Sequence, residues 1–458
     1  MKRYFSSSLL IGIALLFAVV TTLRANDEIP PEYKALWNDE VNKRIDDRIE
    51  KYRKADAQVT LENVQKGSNV KVVELTHSFL FGAHLFNFDQ LGSDDLNRKY
   101  KALYGPDALF NSATVGFYWR AFEPKEGEIC FTSTEKDSAQ FWNGLDEPWK
   151  QSHWRRPAPD RVMAFCEKKG IPMHGHPIIY LRIAPDWALA RKNNLPEMER
   201  LFHTHIHNII SRVGNRVGSW DVVNESVDVA PGKPRYGFPL GDYTFKSYKQ
   251  AESEFPGDVK LAINDSWRSV YPPFIKELIG RGAKIDIVGL QMHIFDSPNM
   301  LKVASGKTAL PNGTSWKPAD VEQYLTELDQ LHRPIHLSEI TIPAPGTDAK
   351  ANAIQARVTR DMYRLWFSWP SIYRITWWNV VDGCGYRGEP TLSGLFSRRM
   401  EPKPVYFAMN DLINKEWKTN LTLPAQDGQV KFRGFRGKYR ITWTDTSNQK
   451  QSKEIDLK

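Results

Sequence analysis

Eight short apolar segments, each closed by a polar or aromatic tip and followed by a helical pattern, predict an α/β fold. The expected architecture is a (β/α)8 TIM barrel with a small accessory β-sheet formed by the N- and C-terminal segments. Two further observations support it. Strand and helix patterns alternate along the chain, which calls for a parallel sheet with right-handed crossovers. Polar residues also gather at the C-terminal ends of the segments, the end of such a barrel where the loops converge on one mouth.

In chain order the segments are FLFGAHL, SATVGFYW, IPMHGHPIIY, SWDVVNE, KLAIND, IDIVGLQMH, IHLSEI and RITWWNV. Amphipathic runs such as PDRVMAFCEKKG and VEQYLTELDQLH lie between them and supply helices. The chain then divides into a signal peptide (1–25), an N-terminal helix and β-hairpin extension (26–78), the barrel (79–415) and a C-terminal β extension (416–458). Lys2 and Arg3 precede the apolar run from Leu9 to Val20, which is too short to span a bilayer, and cleavage is placed after Ala25. The expected product is a secreted protein without stable membrane insertion. Residues 27–55 read as charged helix, and QVTLENVQKGSNVKVVELTH alternates like a hairpin with its turn near KGSN. The C-terminal GQVKFRGFRGKYRITWTD alternates in the same way. Neither piece can bury much surface alone, so the two are expected to pair with each other against the barrel.

Composition excludes several classes. Of 458 residues, 41% are apolar and 25% charged, the balance of an ordinary globular chain with room for a large core. Trp 15, Tyr 17 and Phe 23 make it rich in aromatics, which suit sugar sites as well as cores. Losing Lys2, Arg3 and Arg24 with the signal takes the formal charge from +8 to +5, a modest excess with no Lys/Arg block, so nucleic acid is not an expected partner. Cys130, Cys166 and Cys384 have neither zinc nor redox spacing and allow one disulfide at most. His203, His205 and His207 lie close together, but only His203 and His207 would share a helix face, and no third ligand accompanies them. No metal or cofactor is expected, and the chain reads as a monomer.

The strand tips carry the chemistry. His176, Asn224 and Glu225, Asn264, Gln291 and His293, Glu339 and Trp378 all stand at or near strand C-termini. Glu225 ends the fourth predicted strand and Glu339 the seventh, which places two carboxylates on opposite sides of one mouth. Paired carboxylates of this kind suit glycoside hydrolysis.

WDVVNE, GLQMH, the strand-final Glu of HLSEI, ITWWNVVDG and LFSRRMEPKPVYFAM together resemble glycoside hydrolase family 10, the β-1,4-xylanase family, over residues 79–415. The resemblance implies a retaining β-glycosidase acting on xylan or a related β-glycan, with Glu225 as acid/base and Glu339 as nucleophile. It further implies that Asn224 donates to the sugar 2-hydroxyl, that His293 holds Glu339 ionised, and that Gln291 and Asn264 line the same site. His176 and Tyr180 would contact sugar, with Trp378 and Tyr386 as the apolar floor and Trp377 turned toward the core.

The chain departs from the family pattern at recognition positions. After the second strand it reads ATVGFYWRAFEPKEG, about two residues short, and the usual sugar-binding Lys is missing, with Arg120 the nearest replacement for its charge. Leu181 stands where the family has a His, Thr341 where it has an Asp, and Tyr386 where it has a Trp. The chemistry is therefore expected to be kept and the specificity altered. A weakly active glycan-binding protein on the same barrel, and a β-glucanase, are the alternatives.

Overall fold

The computed structural model describes residues 29–131, 135–227 and 242–458. The proposed signal peptide at 1–25 lies outside them. Among the described residues fourteen strands run β1 Lys54–Thr60, β2 Asn69–His77, β3 Leu80–His84, β4 Ser112–Gly116, β5 Met173–His176, β6 Ser219–Asn224, β7 Lys260–Ser266, β8 Ile287–His293, β9 Ile335–Thr341, β10 Ile372–Trp377, β11 Asn420–Pro424, β12 Gln429–Phe435, β13 Gly437–Thr444 and β14 Lys450–Leu457. Strands β3 to β10 pair in parallel and close into a barrel, with β10 returning to β3. All eight coincide with the apolar segments of the sequence.

Helices cross between successive barrel strands. The one at Leu195–Val213 shows how they form. Asn194 caps it by accepting from Glu197 N, Pro196 occupies its first turn, and Met198, Leu201, Phe202, His205, Ile206, Ile209 and Ile210 recur on its buried face. Inside the barrel the packing is close. Gly175 in β5 lies so near the Trp220 ring that a Cβ there would come within 2.3 Å of it. The glycine lets Trp220 fill the core directly before Asp221, a residue the site depends on.

The termini form two antiparallel sheets, β1–β12 and β11–β2–β13–β14, around a second core that includes Val59, Val70, Val72, Phe432, Ile441 and Trp443. The N- and C-terminal segments thus pair with each other, as expected. The expected hairpin does not form: β1 pairs with β12 and β2 with β11 and β13, so the KGSN turn joins strands of different sheets. Alternation marks a residue's face; it does not choose a strand's neighbour. Glu74 is buried in this unit, where Glu74 Oε2 accepts from Thr419 N at 2.8 Å. Burial is the largest effect on its carboxyl and raises it from 4.5 to about 7. Two N-terminal helices, Pro31–Leu36 and Asp39–Arg53, fasten the extension to the barrel: Arg44 and Arg48 both pair with Glu322, and Arg53 donates to the carbonyl of Ile372 at 2.7 Å.

Candidate active site

Strand residues alternate between faces, so Asn224 and Glu225 should point apart. The structure brings them together by ending β6 at Asn224 and turning Glu225 into the left-handed region, with φ of 54°. Both side chains then line one cleft of about 340 Å³ at the C-terminal mouth of the barrel. A non-glycine residue in that conformation costs about 1–3 kcal/mol and persists where its surroundings enforce it. Here the backbone is held on both sides, Glu225 N donating to Asn264 O and Asn224 N to Ile179 O, each at 2.8 Å.

Glu339, in β9, faces the same cleft and is gripped by three side chains. Its Oε1 accepts from Asn264 Nδ2 at 2.8 Å and Gln291 Nε2 at 2.9 Å, and its Oε2 accepts from His293 Nε2 at 3.2 Å. Parallel register explains the convergence, since Asn264 lies opposite Asn224 and Gln291 opposite Glu339. The same two amides donate to Asn224 Oδ1 at 2.8 and 3.3 Å, which leaves the Asn224 amide nitrogen as the donor available to a ligand. Ser338 Oγ donates to Asn264 Oδ1 at 2.5 Å and so fixes the orientation of the amide that both residues share. Thr341 Oγ1 lies 2.8 Å from His293 Nδ1, so its hydroxyl can donate there while Nε2–H serves Glu339.

His176 approaches from β5, with Nδ1 2.7 Å from Asp221 Oδ2 and Nε2 3.8 Å from Glu339 Oε1. Burial opposes its charged form, but the Asp221 hydrogen bond and the charges of Glu339, Asp221 and Glu225 outweigh it, and the imidazole pKa is raised. Asp221 likewise overcomes burial through His174 and His176 and is held at about 2. Trp378 forms one wall, with its ring edge-to-face against those of Phe86, His84 and His176 at 4.8, 5.1 and 5.4 Å and its Nε1 donating to Glu389 Oε1 at 3.2 Å. Trp377 turns away and donates to Asn379 O at 2.8 Å inside the core.

The sequence-predicted residues therefore divide. Asn224, Glu225, His176, His293, Glu339, Trp378, Tyr180 and Tyr386 line the cleft. Asn264 and Gln291, expected at its surface, are not among the lining residues and act instead on Glu339. Arg120 is also absent from the wall: it donates to Ala184 O and pairs with Asp186, each at 3.2 Å. The three close-set histidines separate, His205 being buried 4.3 Å from the Trp119 ring while His203 and His207 face solvent. Among the described residues there is no cluster of three or more His, Cys, Asp and Glu able to hold a metal ion, and the three cysteines are free thiols. Residues that sequence reasoning missed come from the long loops: Phe86, Tyr118, Trp149, Trp154, Phe295, Glu389 and four arginines. The segment EPWKQSHWRRPAPD, which joins aromatics to cations between β4 and the next barrel strand, was the available signal.

Two carboxylates in one cleft, one of them gripped by side-chain donors, beside aromatic walls, form a site equipped for acid/base and nucleophilic chemistry on a sugar. Comparison with known proteins points the same way. The chain is 23% identical over 368 residues to endo-1,4-beta-xylanase C of Paenibacillus barcinonensis, a match covering 70% of this chain and 31% of that protein. It is 25% identical over 274 residues to endo-1,4-beta-xylanase B of Thermotoga neapolitana, covering 57% of this chain and 74% of that one. The chain thus spans about a third of the length of the first relative and about three quarters of the second. Among solved structures, xylanase 10B of Thermotoga petrophila in complex with xylobiose superposes with a TM-score of 0.57 at 22% identity, over 74% of this chain and 95% of that one, a likeness of fold. The pattern of Glycosyl hydrolase family 10 matches residues 119–412, well over half of the chain. The chain belongs to glycosyl hydrolase family 10.

Proposed function

We propose that this protein is an exported, retaining glycoside hydrolase that cleaves β-1,4-linked glycans as an endo-1,4-β-xylanase, with Glu339 as nucleophile and Glu225 as acid/base. The observation that carries this reading is the pair itself: carboxylates from β9 and from the end of β6 open into one cleft, and Glu339 is held there by Asn264, Gln291 and His293. Three donors fix both of its oxygens in place, and a held, oriented carboxylate is what attack on a carbon requires.

In the first step Glu339 attacks the anomeric carbon while Glu225 gives its proton to the leaving oxygen, and the glycosyl unit is left as an ester on Glu339. In the second, Glu225 takes a proton from water, which displaces Glu339 and restores the original anomer. The amide donor of Asn224 suits a sugar 2-hydroxyl, a contact of the kind that strengthens in the transition state. Trp378 and Tyr386 offer faces on which sugar rings can lie.

The test is hydrolysis of xylan, mixed-linkage glucan and an aryl β-xylobioside, with proton NMR of the first product. Turnover on the xylosides with a β-anomer before mutarotation is expected. An α-anomer would mean direct attack by water. No turnover on any of the three would favour a glycan-binding protein. Export rests on Lys2, Arg3 and the Leu9–Val20 run, and amino-terminal sequencing of the mature protein should begin near Asn26.

A further inference from the structure

The cleft that holds Glu225 and Glu339 is also lined by Arg155, Arg156, Arg182 and Arg387, a concentration of cations that cleavage of a neutral sugar chain does not require. Only some of these charges are used within the protein. Arg155 is buried, packs 4.0 Å over the Phe86 ring, donates to Asn379 Oδ1 at 2.9 Å and lies 3.5 Å from Glu389, which neutralises it. Arg156 and Arg387 have no hydrogen-bond or ion-pair partner for their side chains among the described residues. The two come from different loops, one following β4 and the other following β10.

The presentation of Arg156 is built into the backbone. Arg155 has φ of 72°, a left-handed conformation that a bulky residue rarely adopts. It is locked there by its own N–H, which donates to Gln90 Oε1 at 2.7 Å, and the turn closes with Arg156 N donating to His153 O at 3.1 Å. This local reversal lets two consecutive arginines face the same cleft, Arg155 buried in its wall and Arg156 half-buried, much as the turn at Glu225 brings Asn224 and Glu225 together. Arg156 is half-buried there beside Tyr118 and Tyr386. Burial is the main cause of a lowered pKa for its guanidinium, and neighbouring Arg155 adds to it. Arg156, partly stripped of water and with no counter-ion among the described residues, is unfavourable until an anion arrives, while Arg387 stands exposed at the same cleft.

We propose that Arg156 and Arg387 form an anion subsite in the cleft, and that the preferred substrate is a β-glycan bearing acidic substituents, either the carboxylate of a uronic acid branch or a sulfate ester. This rests on the glycosidase reading above and deepens it. Guanidinium groups suit both anions, since their planar donors pair with two oxygens at once. The preference belongs to the loops, while the carboxylate pair sits in β9 and at the end of β6.

Calorimetric binding tests the subsite independently of turnover. The probes are a uronate-substituted xylo-oligosaccharide, its carboxyl-reduced twin and a sulfated xylo-oligosaccharide, each added to the intact chain. The wild type should bind at least one of the two anionic probes about 10- to 100-fold more tightly than the reduced twin, the gain expected of charge-assisted hydrogen bonds. Whichever anion binds more tightly identifies the source. Arg156→Gln and Arg387→Gln, on separate loops, should each reduce the preference and together abolish it. Equal affinity for all three probes, or a preference that survives the double variant, would overturn the subsite. Hydrolysis of a neutral aryl β-xylobioside by the wild type tests the glycosidase reading separately, so failure of one is distinguishable from failure of the other.

Discussion

Replacing Asn264 by Asp exchanges the amide that holds Glu339 for a second carboxylate in nearly the same volume. Asn264 Nδ2 now donates to Glu339 Oε1 at 2.8 Å, so the variant would set two oxygens of like charge at that separation. With an effective dielectric near 20, two charges this close repel by about 6 kcal/mol, equivalent to roughly 4 pKa units as an upper bound. Paired carboxylates relieve such repulsion by sharing one proton, which sets their two titrations about 3 units apart in known dyads. The proton shared by the pair would then blunt the proposed nucleophile up to higher pH. The acidic limb of the kcat/KM profile on an aryl β-xylobioside should therefore move up by about 1–3 units. Asn264→Ala is the control, since it removes the hydrogen bonds without adding charge and should lower kcat/KM while shifting the limb less. Circular dichroism confirms that both variants fold. An acidic limb that stays in place in an active Asn264→Asp enzyme would refute the claim that Asn264 acts on the proposed nucleophile.

Three further outcomes follow from the geometry. Glu74 is 2% exposed, with its carboxyl raised from 4.5 to about 7. Between those values the unfolded chain releases a proton that the folded chain keeps, so stability falls as pH rises and then levels off. Glu74→Gln, which keeps an acceptor for Thr419 N, should match the wild type near pH 4.5 and exceed it by about 3 kcal/mol at pH 8 in urea unfolding; parallel pH curves for the two proteins would contradict this. Gly175→Ala drives a methyl to within 2.3 Å of the Trp220 ring, next to Asp221, and should destabilise the barrel by about 1–3 kcal/mol and lower kcat/KM through misplacement of His176. In Glu225→Ala, polysaccharide cleavage should fall by roughly 10²- to 10⁴-fold while an activated aryl glycoside still passes its first step, and azide should restore turnover as a β-glycosyl azide; an unchanged rate on polysaccharide would exclude Glu225 as the acid.

The barrel was legible because each strand is a short apolar run with a polar tip, and because helical periodicity separates one run from the next. FLFGAHL and RITWWNV lie almost at opposite ends of the barrel sequence, yet they pair as β3 and β10, and the count of eight predicted that closure. The accessory sheets were only half legible. Alternation in residues 58–77 marked two strands, but their partners lie more than 340 positions further along the chain, a choice made by packing in the second core. Strands β11 and β14 went unmarked: β14, KQSKEIDL, is mostly polar and buries only Leu457. At the site, Glu225 and Glu339 could be found from position alone. That Asn264 and Gln291 serve Glu339 depends on cross-strand register, and the left-handed turns at Arg155 and Glu225 on hydrogen bonds from distant residues. The arginines of the wall sit on loops with no period to read.

The covalent intermediate is the claim on which the proposed mechanism stands. Incubating the intact chain with an activated 2-deoxy-2-fluoro-β-xylobioside slows both steps, and the good leaving group lets the first still proceed, so the glycosyl-enzyme accumulates. Mass spectrometry of the digested protein should then find one added glycosyl group, on the peptide IHLSEI and at Glu339. A label on Glu225, or steady hydrolysis of the reagent's non-fluorinated parent with no labelled peptide at all, would contradict the account.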